Sequence, residues 1–266
     1  MPDRVVNNTE KSEILSIEHL SKKFGGLKAV SDLTLTLHQG ELKGLIGPNG
    51  AGKSTVFNLI SGLYKPNSGR ILLNGENITG KRPNVIAQKG LARTFQAVKL
   101  LEGKSVLETM MTAFFLSYEY NVLHAIFQTK RYNEQEKALK EKAVYFLAKL
   151  GIDNIKEEIS NELPYGLQRK VSIATTLCLN PKVLLLDEPM AGLTHSEKND
   201  LIDMILRLKE EFDLSIILVE HDMKVIMSLC DSIAVMNNGL LIAEGMSEEI
   251  RTNRNVIEAY LGKNTV

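Results

Sequence analysis

The sequence predicts an α/β fold with a mainly parallel sheet, an antiparallel β edge and an inserted helical stretch. Three observations carry that prediction. Leu42–Ile46, Val183–Leu186, Ile216–Val219 and Ile233–Met236 are strand-sized apolar runs, the later ones separated by helical patterns, which implies parallel strands joined by crossovers. A glycine-rich loop follows the first of these runs. From about Val98 to Asn180 the pattern changes from strands to helices.

Taken in order, Leu33–Leu37 alternates apolar and polar residues, as a half-buried strand does, and Leu42–Ile46 leads into the glycine-rich loop. A helix is expected from Lys53 to Gly62, a turn at Lys65–Gly69, and another strand at Arg70–Leu73. In the helical stretch, Glu134–Leu150 places Leu139, Val144, Phe146, Leu147 and Leu150 near one face, and Gly151 is its C-cap. Asn238-Gly239 between two apolar runs is a hairpin turn. The chain therefore divides into a tail (1–11) and one domain (12–262). Residues 12–96 and 181–262 form its core, and 97–180 its helical subdomain.

Composition narrows the function classes. The 266 residues are 44% hydrophobic and 24% charged, with 32 basic against 32 acidic residues. No bulk charge points to nucleic acid. No apolar run approaches the roughly 20 residues of a membrane span, and Met1–Glu13 lacks the basic-then-apolar pattern of a secretion signal, so a cytosolic location is expected. Cys178 and Cys230 stand singly in apolar surroundings and read as buried free thiols.

The chemistry concentrates in two places. Gly47-Pro48-Asn49-Gly50-Ala51-Gly52-Lys53-Ser54 matches G-x-x-x-x-G-K-[ST] between a predicted strand and a predicted helix, the context a phosphate-binding loop requires. Its glycines let backbone N–H groups turn toward a polyphosphate, and the helix start adds partial positive charge. Lys53 is expected at the β- and γ-phosphates, Ser54 at Mg²⁺ and Thr55 near the α-phosphate. The second place is Val183-Leu-Leu-Leu-Asp187-Glu188, an apolar strand ending in two acids. A strand tip beside a phosphate loop suits Asp187 to Mg²⁺, and Glu188 is the candidate general base for water attacking the γ-phosphate. His221, just past Ile216–Val219, is placed to hold Glu188 and the γ-phosphate.

With these residues in order, the chain from about Ile14 to Gly262 resembles the ABC ATPases. The resemblance implies that Gln96, in Arg-Thr-Phe-Gln, touches Mg²⁺ and relays its state to a membrane subunit. It further implies that Phe24 stacks on adenine with Val30 beside the sugar and base. Leu163-Pro164-Tyr165-Gly166-Leu167 occupies the signature position but keeps only the leucine and Gly166 of L-S-G-G-Q, and Thr194 stands where aspartate is usual. Phe24–Val30, Arg93–Gln96, Glu220–Met223 and Val256–Gly262 are similar to the ATP-binding subunits of branched-chain amino acid importers, whose relatives serve urea and short amides. The implied cofactors are ATP and Mg²⁺. The implied partners are membrane permeases, a solute-binding protein, and a second ATP-binding subunit in a heterodimer, with a homodimer as the alternative; the apolar run Met110–Leu116 exceeds one core face, so the surface between about Val98 and Tyr120 is expected to grip a permease helix. A soluble ABC ATPase unconnected to transport and a small-molecule P-loop kinase are the rival readings.

Overall fold

The computed structural model describes residues 12–94, 100–117 and 130–261. The expected Mg²⁺ ligand Gln96 lies outside the described residues. A six-stranded sheet runs in the order β10 (Leu240–Gly245), β9 (Ser232–Asn237), β3 (Leu42–Ile46), β8 (Ser215–Val219), β7 (Val183–Asp187), β6 (Leu91–Arg93). The five strands from β9 to β6 are parallel and β10 is antiparallel to β9. A second, four-stranded antiparallel sheet has the order β2 (Leu27–His38), β1 (Glu13–Phe24), β4 (Ser68–Leu73), β5 (Glu76–Asn77).

The parallel strands are buried on both faces, and their period of two sorts side chains into two cores. Leu42, Ile46, Leu184, Leu186, Ile216, Leu218, Ile233 and Val235 join the helix-covered core. Leu45, Val183, Leu185, Ile217, Val219, Ala234 and Met236 point to the other face and pack with the antiparallel sheet and α1 (Lys53–Ile60). Each Leu, Ile, Val or Met among them contributes roughly 1.5–3 kcal/mol of burial, so a one-residue slip in register is prohibitive. The other α-helices among the described residues are α2 (Pro83–Gln88), α3 (Val106–Ser117), α4 (Lys130–Lys149), α5 (Tyr165–Leu177), α6 (His195–Glu211), α7 (Met223–Leu229), α8 (Ser247–Thr252) and α9 (Arg254–Leu261).

Between β6 and β7 lie α3, α4 and α5. In α4 the buried residues Leu139, Ala143, Phe146 and Leu147 repeat at helical spacing, Leu150 follows buried, and Gly151 takes φ 67° to end the helix. Val144 is only half-buried, at the edge of this face. The Phe146 ring meets Phe114 at 5.3 Å and Phe212 at 5.1 Å, contacts worth about 0.5–1.5 kcal/mol each beyond area burial. Both cysteines are free thiols, and burial pushes each up to about 12.

Two expectations change. The α1 helix stops at Ile60, two residues early, where Gly62 takes φ 75° and its N–H turns back to Leu59 O. β1 begins at Glu13, well before the first predicted strand. Its buried residues Ile14, Leu15, Ile17 and Leu20 break the period of two, because the ladder shifts register around His19, which adopts φ 50°.

Candidate nucleotide site

The fully buried strand β3 delivers Gly47 to the carboxyl end of the parallel sheet, where the loop turns into α1. Glycine is required at both ends of that turn. A Cβ on Gly47 would stand 2.1 Å from Met236 O, and one on Gly52, at φ 107°, 2.4 Å from Ala29 O. Lys53 opens α1 and is buried; its Nζ donates to Gly47 O at 2.6 Å and Pro48 O at 3.1 Å. Burial lowers the ammonium pKa, against the opposing fields of Glu188 and Asp187. Ser54 is exposed and Thr55 half-buried beside it.

Next to the loop a cleft of about 360 Å³ is lined by Phe24, Lys28, Ala29, Lys53, Thr55 and Asn238, among others, a volume suited to a small ligand. Phe24 is 42% exposed, its ring edge-on to Tyr64 at 5.2 Å and 5.1 Å from Lys22 Nζ. A ring so placed offers stacking surface. The β9–β10 turn ties the walls together, since Ser31 N donates to Gly239 O and Gly239 N to Ala51 O. Val30, expected beside the sugar and base, is instead buried in the core behind this wall, and Lys28 and Ala29 line the cleft.

Asp187 and Glu188 end β7, with a correction to their placement: β8 lies between β3 and β7, so the acids sit two strands from the phosphate loop. The strand between them carries Glu220 and His221 just past its end. His221 Nε2 is 2.6 Å from Glu188 Oε1, which brings the expected base and histidine into direct contact. Glu188 takes φ 46°, a left-handed conformation costing on the order of 1 kcal/mol for a non-glycine residue. Its N–H donates to Val219 O at 2.9 Å, which holds it there.

Several residues without a predicted role complete the cluster. Arg93, at the end of β6, pairs with Asp187 Oδ2 at 2.8 Å and reaches Asn58 and Ser61 of the α1 end, both charges nearly buried. Glu220 is 5% exposed and accepts from Met190 N and His221 N. Burial pushes its carboxyl up, partly offset by those two bonds. A charged residue directly after the apolar run Ile216–Val219 was the sequence signal for Glu220; Arg93, closing the three-residue strand Leu91–Arg93, had none so clear.

Gly166 lies apart from the cleft, in the first turn of α5 against the cap of α6. A Cβ there would meet Glu197 Oε1 at 2.6 Å. Pro164 is the α5 N-cap and makes no side-chain cap bond. Thr194 caps α6, its hydroxyl accepting from Glu197 N while Glu197 accepts from the Thr194 backbone. The Gly192 backbone packs beside the Tyr165 ring, so the signature position and the loop after Glu188 form one surface.

A phosphate loop on a parallel sheet, an acid pair two strands away and a histidine on the strand between them define a P-loop nucleotide-binding ATPase domain. The sequence matches the ABC transporter family over residues 30–191 and the branched-chain amino acid ATP-binding cassette transporter family over residues 241–264. It is 40% identical over 250 residues to the high-affinity branched-chain amino acid transport ATP-binding protein BraF of Pseudomonas aeruginosa, and 38% identical to LivG of Escherichia coli K12; each match covers 94% of this chain and 98% of the relative. The fold is similar to a crystal structure of the ADP conformation of an ATP-binding cassette of an ABC transporter, with TM-score 0.82 and 31% identity over 95% of this chain and 100% of the other. The chain belongs to the ABC transporter family.

Proposed function

We propose that the chain is the ATP-hydrolysing subunit of an importer for branched-chain amino acids, bound peripherally to permeases on the cytoplasmic face of the membrane. The observation that carries this reading is the Glu188–His221 contact at 2.6 Å on the strand ends beside a Lys53 phosphate loop. The kinship with BraF and LivG supports the solute class. Among the described residues no helix is long and apolar enough to cross a membrane, which fits a subunit that leaves the pathway to others.

The residues fit ATP with Mg²⁺. Phe24 stacks on the base, Gly47–Gly52 wrap the phosphates, and Lys53 exchanges two carbonyl partners for phosphate oxygens. The oxygen donors Ser54, Asp187 and Gln96 suit a hard cation. A Mg²⁺ ion held by these donors would supply positive charge to offset that of the phosphates. Arg93 keeps Asp187 oriented, Glu188 takes a proton from the attacking water, and His221 holds Glu188 in register.

Residues 97–180 serve as the helical subdomain, and its surface between about Val98 and Tyr120 grips a permease helix. Part of that surface lies outside the described residues. Where it is described, Met110 and Phe114 are core residues. Pro164 brings neither a hydroxyl nor an N–H to the signature position, so this chain completes a partner's site weakly and favours a heterodimer with an ATPase whose signature keeps its serine. The test is ATP-driven uptake in vesicles carrying the assembled transporter. Uptake of leucine, isoleucine and valine is expected; uptake of urea alone overturns the solute, and purification without any permease overturns the transport role.

A further inference from the structure

We propose that Glu220 is a positioning residue for hydrolysis, a strut that locks the loop after Glu188 to the backbone of His221; the inference rests on the roles given above to Glu188 and His221. Its two carboxylate oxygens are each committed to backbone. Oε1 accepts from Met190 N at 2.7 Å and Oε2 from His221 N at 3.2 Å. Met190 is two residues beyond Glu188, and His221 touches Glu188. The contacts therefore close a ring: Glu188, the chain to Met190, the Glu220 carboxylate, His221, and back to Glu188.

The ring explains a costly arrangement. Glu220 is 5% exposed, and both its burial and the nearby Glu188 charge oppose its ionised form. An apolar residue would be cheaper at a buried strand end but could not hold two N–H groups that face each other across a gap. The loop held by Met190 runs through Gly192, beside Tyr165, to the Thr194 cap, so the same carboxylate links the hydrolytic pair to the surface around the signature position. Aspartate keeps both acceptors on a shorter stem. Glutamine cannot substitute, because its amide offers one acceptor and turns its NH₂ toward the second donor.

The experiment compares wild type, Glu220→Gln, Glu220→Asp, His221→Ala and the double variant Glu220→Gln/His221→Ala in the assembled transporter. It measures ATP affinity, kcat and KM, and amide hydrogen exchange of the peptides holding Met190 and His221 without nucleotide. Glu220→Gln should lower kcat about 10-fold, the scale of one buried bond lost, with KM and ATP affinity within about 2-fold. It should also speed exchange at one of the two amides, and Glu220→Asp should fall between it and wild type. In the double variant the two losses should combine to less than their product, because the part of the Glu220 effect that passes through the His221 ring has nothing left to position, while the bond to Met190 N still steadies the loop after Glu188. Full turnover in Glu220→Gln, or losses that multiply in the double variant, overturns the proposal. A parallel loss of ATP affinity would show a general folding role and also overturns it. Wild-type turnover in His221→Ala overturns the histidine assignment itself, which distinguishes failure of the underlying reading from failure of the strut.

Discussion

The lysines at the amino end of β3 and just beyond its carboxyl end are held in opposite ways. At the amino end, Glu41 and Lys43 are buried and fully engaged. Lys43 pairs with Glu244 and lies 3.5 Å from Glu41, which accepts from Ser232 Oγ and His38 N, while Asp231 accepts from Leu42 N and Lys209. At the carboxyl end, Lys53 rests on two carbonyls of its own loop, Glu188 sits at φ 46°, and His221 is about half exposed. Charge closed off by protein partners secures the fold. Charge held on partners that a phosphate can replace is reserved for a ligand.

The comparison breaks most sharply at the two lysines. Lys53→Ala removes at least two charge-assisted bonds to phosphate oxygens, about 1.5–3 kcal/mol each, so ATP affinity should fall by about 10²–10⁴-fold while thermal stability holds. Calorimetric titration checks it, and unchanged affinity would move the phosphate site elsewhere. Lys43→Met should do the reverse. It strands a buried Glu41, costing about 3 kcal/mol, the lower end for a broken buried pair because two hydrogen bonds to Glu41 survive. Denaturant unfolding should register that loss while ATP affinity is kept; a stable Lys43→Met protein would mean the amino-end network is dispensable.

A third variant tests function within the carboxyl end. Glu188→Gln keeps the shape and the contact with His221 but loses the base, so hydrolysis should drop by about 10² or more with binding retained. Phosphate release in single-turnover mixing is the measure. Near-normal turnover would place the base on another residue and reduce the strained φ at Glu188 to a feature of the turn.

The sequence revealed the two ends unequally, for a physical reason. The phosphate loop, Asp187, Glu188 and His221 were legible because each lies at the end of an apolar strand or within two residues of it, and a parallel sheet brings strand ends together. Leu42–Ile46 and Ile216–Val219 became strands as read, since full burial writes a continuous apolar run. Strand order was not legible, so the placement of β8 between β3 and β7 emerged only from the fold. Val30 was misplaced because the resemblance supplied its role, whereas burial on the core face of β2 is set by register. The pairings Arg93–Asp187 and Lys43–Glu244 span 94 and 201 positions, and no local pattern announces a partner that distant.

The smallest effect lies just beyond the carboxyl end, at the α6 cap that follows the Glu188 loop. Thr194 Oγ1 donates to Glu197 Oε2 at 2.7 Å and accepts weakly from Glu197 N at 3.4 Å, while Thr194 N donates to the same carboxylate at 2.8 Å. Thr194→Ala removes the hydroxyl's share of this cap and should cost about 1 kcal/mol near neutral pH. The cost should depend on pH. The Thr194 N–H, and then its hydroxyl, hold the Glu197 carboxyl below the usual carboxylate range. A depressed folded pKa gives stability that is complete above the unfolded value, about 4.3, and is lost as pH falls through the folded one. The gap between wild type and Thr194→Ala should therefore be full at pH 7 and narrow as acid protonates Glu197. Urea unfolding of both proteins at pH 7 and in acid measures the gap. An equal gap at both would mean that the helix is capped without the carboxylate, and that Gly166 packs against a side chain with no electrostatic part in the cap.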